Sequence, residues 1–161
     1  MNNIQIALMM GSQSDLPVMK EAAKILEEFD VSYEIRVLSA HRTPKETAEY
    51  AEQLRLRGVK VVICGAGASA ALAGVVAAHT SLPVIGVPIV ATPLNGMDAL
   101  LSTVQMPPGV PVGAMAIGPS GAKNAALLAL RIISLQDKDV ERKLAEFKEE
   151  QRRKILDTDL N

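Results

Sequence analysis

The sequence predicts an α/β fold: one domain of three layers, with helices on both faces of a parallel sheet of about five strands. Three observations support this prediction. A rhythm of strand, turn and helix repeats five times along the chain, and right-handed crossovers join such units into a parallel sheet. The strand segments are short and mostly apolar, as expected where both faces of a sheet are covered. The 161 residues suit a single domain with a sizeable core.

Five short apolar segments are the predicted strands. They are residues 4–10, 31–37, 59–64, 82–87 and 110–117. The first strand ends at Gly11, and the fourth is interrupted at Pro83 and closed at Pro88. Aromatic residues make up only 2% of the chain, so the core must be built from Ala, Val, Ile, Leu and Met. We expect the sheet to be of the flavodoxin-like kind.

A helical segment follows each strand. The predicted helices are residues 16–29, 45–56, 71–78, 96–106 and 122–135. The first of them carries apolar residues at helical spacing, from Leu16 and Met19 to Phe29. Gly58 ends the second helix, and Pro107 with Pro108 ends the fourth.

The C-terminal segment, residues 136–161, is predicted to be a projecting helical arm that belongs to the same domain as residues 1–135. Residues 137–156 are densely charged, with a narrow apolar stripe at Val140, Leu144, Phe147 and Ile155. The helix could lie on its own domain or pack on a neighbouring subunit. We favour the neighbouring subunit, because a long charged helix beyond a closed domain needs a surface that buries its stripe.

Composition excludes several classes of function. The formal net charge of −1 and the scarcity of aromatics argue against a nucleic-acid partner. Apolar runs of about 18 residues are missing, so we expect no membrane span, and the N-terminus does not resemble a signal peptide. The one cysteine, Cys64, lies in an apolar run and is predicted to be a core residue and not a nucleophile. These features together predict a cytoplasmic protein.

The turn at residues 38–44 lies between the second strand and its helix, at the edge of the sheet where open α/β folds bind ligands. His41 can move protons near neutral pH, and Arg42 offers phosphate oxygens a planar fork of donors. Thr43 is a plausible helix N-cap, and Pro44 suits the first helical position. The alternative is that the whole stretch is only a well-made helix start.

Two glycine-rich turns follow other strands. Residues 65–70 match the dinucleotide pattern G-x-G-x-x-G/A, but that pattern needs an acidic residue further on, and residues 53–97 contain neither Asp nor Glu. We therefore reject NAD binding and retain a turn that can approach an anion closely. Residues 11–15 form a similar turn, whose hydroxyls suit phosphate and whose carboxylate suits sugar hydroxyls. The alternative there is simple helix capping by Ser14 or Asp15.

Metal sites and other nucleophile motifs find no support. The chain has two histidines, His41 and His79, and we interpret His79 as a structural residue at a helix end. We expect Met97, Met106 and Met115 to be core or lining residues. Phosphate-loop and G-x-S-x-G motifs are both missing. The polar groups at the ends of strands one to three thus predict a pocket for a small phosphorylated sugar compound, with one histidine and no metal.

Several stretches resemble the PurE family of de novo purine biosynthesis. They are residues 11–15, 39–44, 82–88, 104–107 and 121–125, and they occur in the family's order over nearly the whole chain. The blocks at 82–88 and 104–107 resemble the bacterial class I branch. That branch interconverts N5-carboxyaminoimidazole ribonucleotide and 4-carboxy-5-aminoimidazole ribonucleotide.

The resemblance implies roles for particular residues. His41 would be the general acid–base, Ser12 and Arg42 would hold the substrate phosphate with help from Ser39, and Asp15 would bind ribose hydroxyls. The turn at 65–69 would line the imidazole and carboxylate end. The full set of predicted substrate-binding residues is Gly11, Ser12, Ser14, Asp15, Ser39, Arg42, Gly67, Ala68, Ser69 and Leu72.

The resemblance also implies that CO2 is an intermediate, that no metal, ATP or organic cofactor is needed, and that the protein is a homo-octamer whose C-terminal helices reach neighbours. One position departs from the class I pattern Ala-Ala-His-Leu-Pro-Gly, because Ala71 stands where that histidine is expected. This departure leaves open class II activity, the direct carboxylation of aminoimidazole ribonucleotide with CO2, or a related nucleotide carboxylase. A non-catalytic nucleotide-binding protein is the third alternative.

Overall fold

The computed structural model describes residues 4–159, and its centre is a sheet of five parallel strands. The strands are β1 (Ile6–Met10), β2 (Tyr33–Val37), β3 (Val61–Gly67), β4 (Val84–Ile89) and β5 (Gly113–Ala114). Their spatial order is β2-β1-β3-β4-β5, which is the flavodoxin-like order. The predicted fold class is therefore confirmed.

Six α-helices accompany the strands in the described part of the chain. They are α1 (Leu16–Glu28), α2 (Pro44–Gln53), α3 (Leu72–His79), α4 (Met97–Val104), α5 (Pro119–Ser134) and α6 (Lys138–Leu156). A single 3₁₀ turn, Gln13–Asp15, leads from β1 into α1. Each predicted helix is present, with ends that differ by a few residues from the predicted ones.

Alternation along the buried strands divides the core into two layers. On β1, Ile6, Leu8 and Met10 face the side covered by α1 and α5. The residues between them, Ala7 and Met9, face the side covered by α2 and α3. Both faces of the sheet centre are therefore apolar and covered, which explains why β1 and β4 and the buried part of β3 are apolar, whereas the edge strand β2 carries Glu34 and Arg36.

The sheet order positions the functional residues. The connection from β1 runs outward to β2, whereas the later connections run the other way to β3, β4 and β5. The crevice at such a reversal is the usual ligand site of open α/β sheets. Met10 pairs in register with Val37 of β2 and with Gly65 of β3. The loops after these three strands therefore begin close together, at one edge of the sheet.

Three predicted strand ends were wrong. β3 continues through Gly65 to Gly67, which we had expected to form a turn, because both glycines pair in register with β4. β4 includes Pro88 instead of stopping before it. The Pro88 carbonyl accepts a hydrogen bond from Gly118 N, on the side of β4 where β5 has already ended. The N–H that proline lacks would point to the same side, so no hydrogen bond of the sheet is lost. β5 has two residues instead of the expected eight.

The first half of α6 lies on its own domain. Val140 is buried, the Phe147 ring packs edge-on against Phe29 at 5.7 Å, and Lys143 Nζ is 2.9 Å from Asp30 Oδ2. Ile155 and Leu156, near the helix end, are exposed. Packing on a neighbouring subunit stays a prediction. Residues 1–3 of the predicted domain and 160–161 of the predicted arm lie outside the described residues.

Other features of the sequence have simple structural roles. Cys64 is buried, and burial raises the pKa of its thiol, so it is a core residue as expected. Met115 packs against the core and Met106 lies beside Gly74 of α3, but Met97 is half exposed, contrary to expectation. Within residues 4–159, no helix combines the length and apolarity that a membrane crossing requires.

Candidate active site

A cavity of about 340 Å³ opens at the carboxyl ends of β1, β2 and β3. All eleven predicted site residues line it: Gly11, Ser12, Ser14, Asp15, Ser39, His41, Arg42, Gly67, Ala68, Ser69 and Leu72. Four further residues line it: Ala66, which belongs to the predicted turn at 65–69, and Ala40, Ala71 and Ala91, which were outside the predicted set. These are alanines, whose methyl groups carry no chemical signal. The structure brings the predicted residues together, while their individual roles stay predictions.

The loop after β1 is closed by a reciprocal pair of hydrogen bonds. Ser12 Oγ accepts from Ser14 N at 3.3 Å, and Asp15 Oδ2 accepts from Ser12 N at 3.1 Å. This is a capping box, in which the side chains at both ends satisfy backbone N–H groups. The alternative of simple helix capping by Ser14 or Asp15 is therefore incomplete, because Asp15 occupies the N-cap position of α1 without a side-chain cap bond, and Ser12 caps the short turn. Ser12 Oγ also accepts from Ser14 Oγ at 2.9 Å, and these bonds leave its own O–H proton for a ligand.

Asp15 is the one carboxylate among the residues that line this cavity, and it is largely buried. Burial raises the pKa of the Asp15 carboxyl, although the Ser12 N–H bond and the charge of Arg42 act in the opposite direction. A buried carboxylate that keeps lone pairs free can accept hydrogen bonds from ligand hydroxyls.

The turn after β2 wraps around Ser39. Thr43 N donates to Ser39 O at 2.9 Å, Ser39 N donates to Thr43 Oγ1 at 2.9 Å, and Thr43 Oγ1 donates to Ser39 O at 3.1 Å. Thr43 occupies the N-cap position of α2 as predicted, but its hydroxyl closes the preceding turn instead of bonding to a helix N–H. Pro44 is the first helical residue, as expected.

Arg42 joins the first two loops. Its Nη2 donates to Gly11 O at 2.6 Å, and its Nε donates to Ser39 Oγ at 3.4 Å. These two bonds engage two of the five N–H donors of the guanidinium. The remaining donors, at the exposed end of the side chain, can form a bidentate pair with a phosphate group in the cavity.

His41 is exposed and lines the cavity between Ala40 and Arg42. An imidazole in contact with a ligand cavity can give and take protons near neutral pH. The alternative interpretation of this stretch as a helix start alone does not account for a histidine that faces the same cavity as Ser12 and Asp15. His79, in contrast, lies outside the lining, with Nδ1 3.1 Å from Glu52 Oε1, in agreement with a structural role.

The two glycines at the end of β3 serve different purposes. A Cβ on Gly65 would lie 2.3 Å from Met19 Sδ, so this glycine makes room for α1 and not for a ligand. A Cβ on Gly67 would lie 2.5 Å from the Ala91 methyl, so Gly67 lets the loop after β4 reach the cavity. Ala68 has a φ of +54°, which is uncommon for a residue with a side chain. Its methyl group is held at the cavity despite this cost.

The residues present do not suit a metal centre. Residues 4–159 contain no group of three or more His, Cys, Asp or Glu side chains close enough to share an ion. The polar side-chain groups at the cavity are hydroxyls, one guanidinium, one imidazole and one carboxylate. This set suits an organic phosphate that carries sugar hydroxyls.

Comparisons with known proteins match one family over most of the chain. Residues 5–154 match the family model described as AIR carboxylase. An N5-carboxyaminoimidazole ribonucleotide mutase from Pyrococcus abyssi is 56% identical over 92% of this chain and 84% of its own length. The protein of that name from Bacillus subtilis is 54% identical over 95% of this chain and 94% of its own.

A solved structure gives independent support. The crystal structure of Treponema denticola PurE superimposes with a TM-score of 0.85 at 31% identity, and the alignment covers 94% of each chain. The family model spans nearly the whole sequence, and the matched residues include all three loops of the cavity. The chain therefore belongs to the AIR carboxylase family.

Proposed function

We propose that the protein interconverts N5-carboxyaminoimidazole ribonucleotide and 4-carboxy-5-aminoimidazole ribonucleotide in purine biosynthesis. The observation that carries this proposal is the cavity in which His41, Arg42, Ser12 and Asp15 meet. Relatives more than 50% identical over most of this chain bear the name of this mutase. The chain keeps the acid–base residue and the phosphate donors that such a reaction requires.

The phosphate of the nucleotide binds between the first two loops in this proposal. Arg42 offers its free guanidinium donors, and its bond to Gly11 O fixes the direction of the fork. The hydroxyls of Ser12 and Ser39 add donors on either side of it. Asp15, which lies beside Ser12, accepts hydrogen bonds from the ribose hydroxyls.

The imidazole end of the substrate lies against the third loop. Its lining consists largely of methyl groups, from Ala66, Ala68, Ala71 and Leu72. A dry apolar wall favours loss of a charged carboxylate as neutral CO2 and keeps that molecule near the ring. Ala71 adds to the apolar wall at the position where a histidine was expected.

His41 moves the proton. The bond between the exocyclic nitrogen and the carboxylate breaks and releases CO2, and His41 gives a proton to that nitrogen. Ring carbon C4 then attacks the retained CO2, a carbon–carbon bond forms, and His41 takes the proton from C4. The imidazole returns to its starting state, so the reaction is an isomerisation with no net consumption of acid or base.

Direct carboxylation of aminoimidazole ribonucleotide is not favoured, because the similar relatives are named as mutases. Two incubations of the purified protein separate these activities. One contains N5-carboxyaminoimidazole ribonucleotide, and the other contains aminoimidazole ribonucleotide with bicarbonate. We expect fast formation of the 4-carboxy product only in the first. Fast product formation in the second, and little in the first, would favour the class II reaction.

We also propose that the protein works as a cytoplasmic homo-octamer without a cofactor. Support for assembly comes from an apolar side of α4 that remains exposed. Met97, Leu101 and Val104 recur on it at spacings of four and three residues. Exposed apolar surface of this kind is typical of contacts between copies of a chain. The exposed Ile155 and Leu156 at the end of α6 support packing of this arm on a neighbour.

A further inference from the structure

Hydrogen bonds between Ser39 and Thr43 close the turn that carries His41 and Arg42. The amide N–H of Ser39 donates to Thr43 Oγ1 at 2.9 Å, and its carbonyl accepts from the same hydroxyl at 3.1 Å. The carbonyl also accepts from the Thr43 amide at 2.9 Å. One hydroxyl thus holds the start and the end of a loop whose three intervening residues are Ala40, His41 and Arg42.

A second hydroxyl ties this loop to α2. Thr47 is fully buried, one helical turn after Thr43. Its Oγ1 donates to Thr43 O at 2.8 Å and lies 3.3 Å from Ser39 O. Thr47 therefore connects the loop to a part of the helix that already has its full backbone hydrogen bonding. Because the hydroxyl is buried, it cannot exchange these partners for water.

Neither hydroxyl belongs to the cavity. Thr43 and Thr47 are not among its lining residues, whereas Ser39, His41 and Arg42 all line it. Ser39 Oγ also accepts from the Arg42 backbone N–H at 3.2 Å and from Arg42 Nε at 3.4 Å. A displacement of Ser39 would therefore move the guanidinium, and with it the adjacent imidazole. This is a connected route from the half-buried hydroxyl of Thr43 and the buried hydroxyl of Thr47 to His41 and Arg42.

We propose that Thr43 and Thr47 are positioning residues for His41 and Arg42, acting through Ser39. This inference rests on the proposed function for its effect on turnover, but its effect on phosphate binding is independent of the reaction. Misplacement of a reacting group by about 1 Å can cost about 100-fold in rate. Loss of either hydroxyl should therefore impair the site far more than it impairs the fold.

The test compares Thr43→Val, which keeps the shape and removes the hydroxyl, with Thr43→Ser, which keeps the hydroxyl. The readouts are kcat and KM for the mutase reaction, and the affinity for ribose 5-phosphate by calorimetry. We expect Thr43→Val to lose about 10- to 100-fold in kcat/KM, with part of the loss in kcat, and to bind ribose 5-phosphate more weakly. Thr43→Ser should restore both to within about threefold.

Thr47→Val has a matched control in Thr103→Val. Both threonines are buried in helices and donate to the carbonyl four residues earlier, at 2.8 Å for Thr47 and 2.7 Å for Thr103. Only Thr47 also reaches the loop of the site. We expect similar losses of thermal stability in the two variants, and a loss of activity and of ribose 5-phosphate affinity only in Thr47→Val. This pair decides the question if Thr43→Val fails to fold.

Wild-type kinetics and affinity in Thr43→Val and Thr47→Val would overturn the inference, as would a Thr43→Ser variant as impaired as Thr43→Val. If the wild-type protein shows no mutase activity, the proposed function fails. The inference then stands if ribose 5-phosphate affinity falls in the valine variants and returns in the serine variant. Failure of the wild-type protein to bind ribose 5-phosphate would overturn it as well.

Discussion

At the scale of single residues, the proposed phosphate binding depends on how Arg42 is held in the cavity. The guanidinium is held by Gly11 O and Ser39 Oγ, so its free donors are directed before any ligand arrives. A preorganised fork loses little side-chain freedom on binding, which is why arginine and not lysine suits this place. The proposed phosphate end of the site is therefore in place before a ligand binds.

We predict that Arg42→Met weakens the binding of ribose 5-phosphate and raises KM about 10- to 100-fold, because charge-assisted hydrogen bonds to the phosphate are lost. The measurements are calorimetry and steady-state kinetics. Arg36→Met is the matched control, because Arg36 is exposed on β2, is near Glu34, and does not line the cavity. Equal effects of the two substitutions would contradict the phosphate role of Arg42.

The proposed binding role of Asp15 comes with a cost to the stability of the fold. Its pKa is higher in the folded chain than in the unfolded chain, mainly because of burial. The folded chain therefore binds this proton more tightly, so the carboxylate reduces stability at neutral pH, and this penalty disappears as the pH falls through the raised pKa towards the ordinary value. Function and stability oppose each other at this residue.

We predict that Asp15→Asn weakens nucleotide binding yet raises the melting temperature at pH 7, because the substitution removes a buried charge. The gain should shrink as the pH is lowered towards the ordinary range of an aspartate, because the carboxyl of the wild-type protein takes up its proton on the way. Thermal unfolding over this pH range measures it. Glu21→Gln is the control without a gain, because Lys24 and Lys123 lower the pKa of Glu21. A less stable Asp15→Asn at pH 7 would contradict this account.

The residues that carry charge or hydroxyls could be predicted because their chemistry is visible in the sequence. All eleven predicted site residues line the cavity. The residues that were missed share a different property. Ala91 reaches the cavity only because Gly67 leaves room for it, and the Thr47 hydroxyl reaches Ser39 across a turn. Both are consequences of packing between segments, which spacing along one segment does not reveal.

At the scale of elements, close packing fixes how α5 begins. A Cβ on Gly121 would lie 1.6 Å from the carbonyl oxygen of Ala116, and backbone atoms cannot move aside cheaply. The helix begins at Pro119, within the segment that we expected to be a turn, and Gly118 before it has a φ of +79°. The glycine at 121 therefore allows the helix to approach the segment that precedes it.

We predict that Gly121→Ala destabilises the fold by about 3 kcal/mol, at the upper end of the cost of overpacking a core. Gly113→Ala is the matched control, since a Cβ there would meet its nearest atom at 3.8 Å. Urea denaturation of both variants measures the difference. A Gly121→Ala variant as stable as Gly113→Ala would show that the approach of α5 is not as close as described.

The elements also show where sequence patterns stop being informative. β3 was expected to end at Cys64 because glycine is typical of turns, but Gly65 lies under α1 and only a residue without a side chain fits there. β5 was expected to be long because its segment is apolar, yet Pro111 has no N–H to donate and the strand lies at the sheet edge. Packing against α1 and the missing N–H of Pro111, and not the apolar or glycine-rich character of each segment, thus explain these ends.

At the scale of the whole molecule, apolar side chains on α4 remain exposed that a contact between copies of the chain would bury. The side of α4 defined by Met97, Leu101 and Val104 is about half exposed. Burying it between copies would remove this area from water and stabilise an assembly. Leu56, which follows α2, is also exposed but belongs to no such row.

We predict that light scattering of the purified protein gives the mass of eight chains. Leu101→Glu should shift the mass to smaller species, because it places a charge in the proposed contact. Leu56→Glu should leave the mass unchanged and serves as the control. A wild-type monomer, or equal behaviour of both variants, would contradict assembly through this side of α4.

In the proposed reaction, the imidazole of His41 transfers protons in the cavity that it lines together with Arg42, Ser12 and Asp15. The most direct test of this role is the rate of conversion of N5-carboxyaminoimidazole ribonucleotide by the wild-type protein and by His41→Asn, with nucleotide binding measured on both. We expect rapid turnover in the wild type. In the variant, turnover should fall by at least about 100-fold while nucleotide binding is retained. Near-normal turnover in His41→Asn would contradict this role.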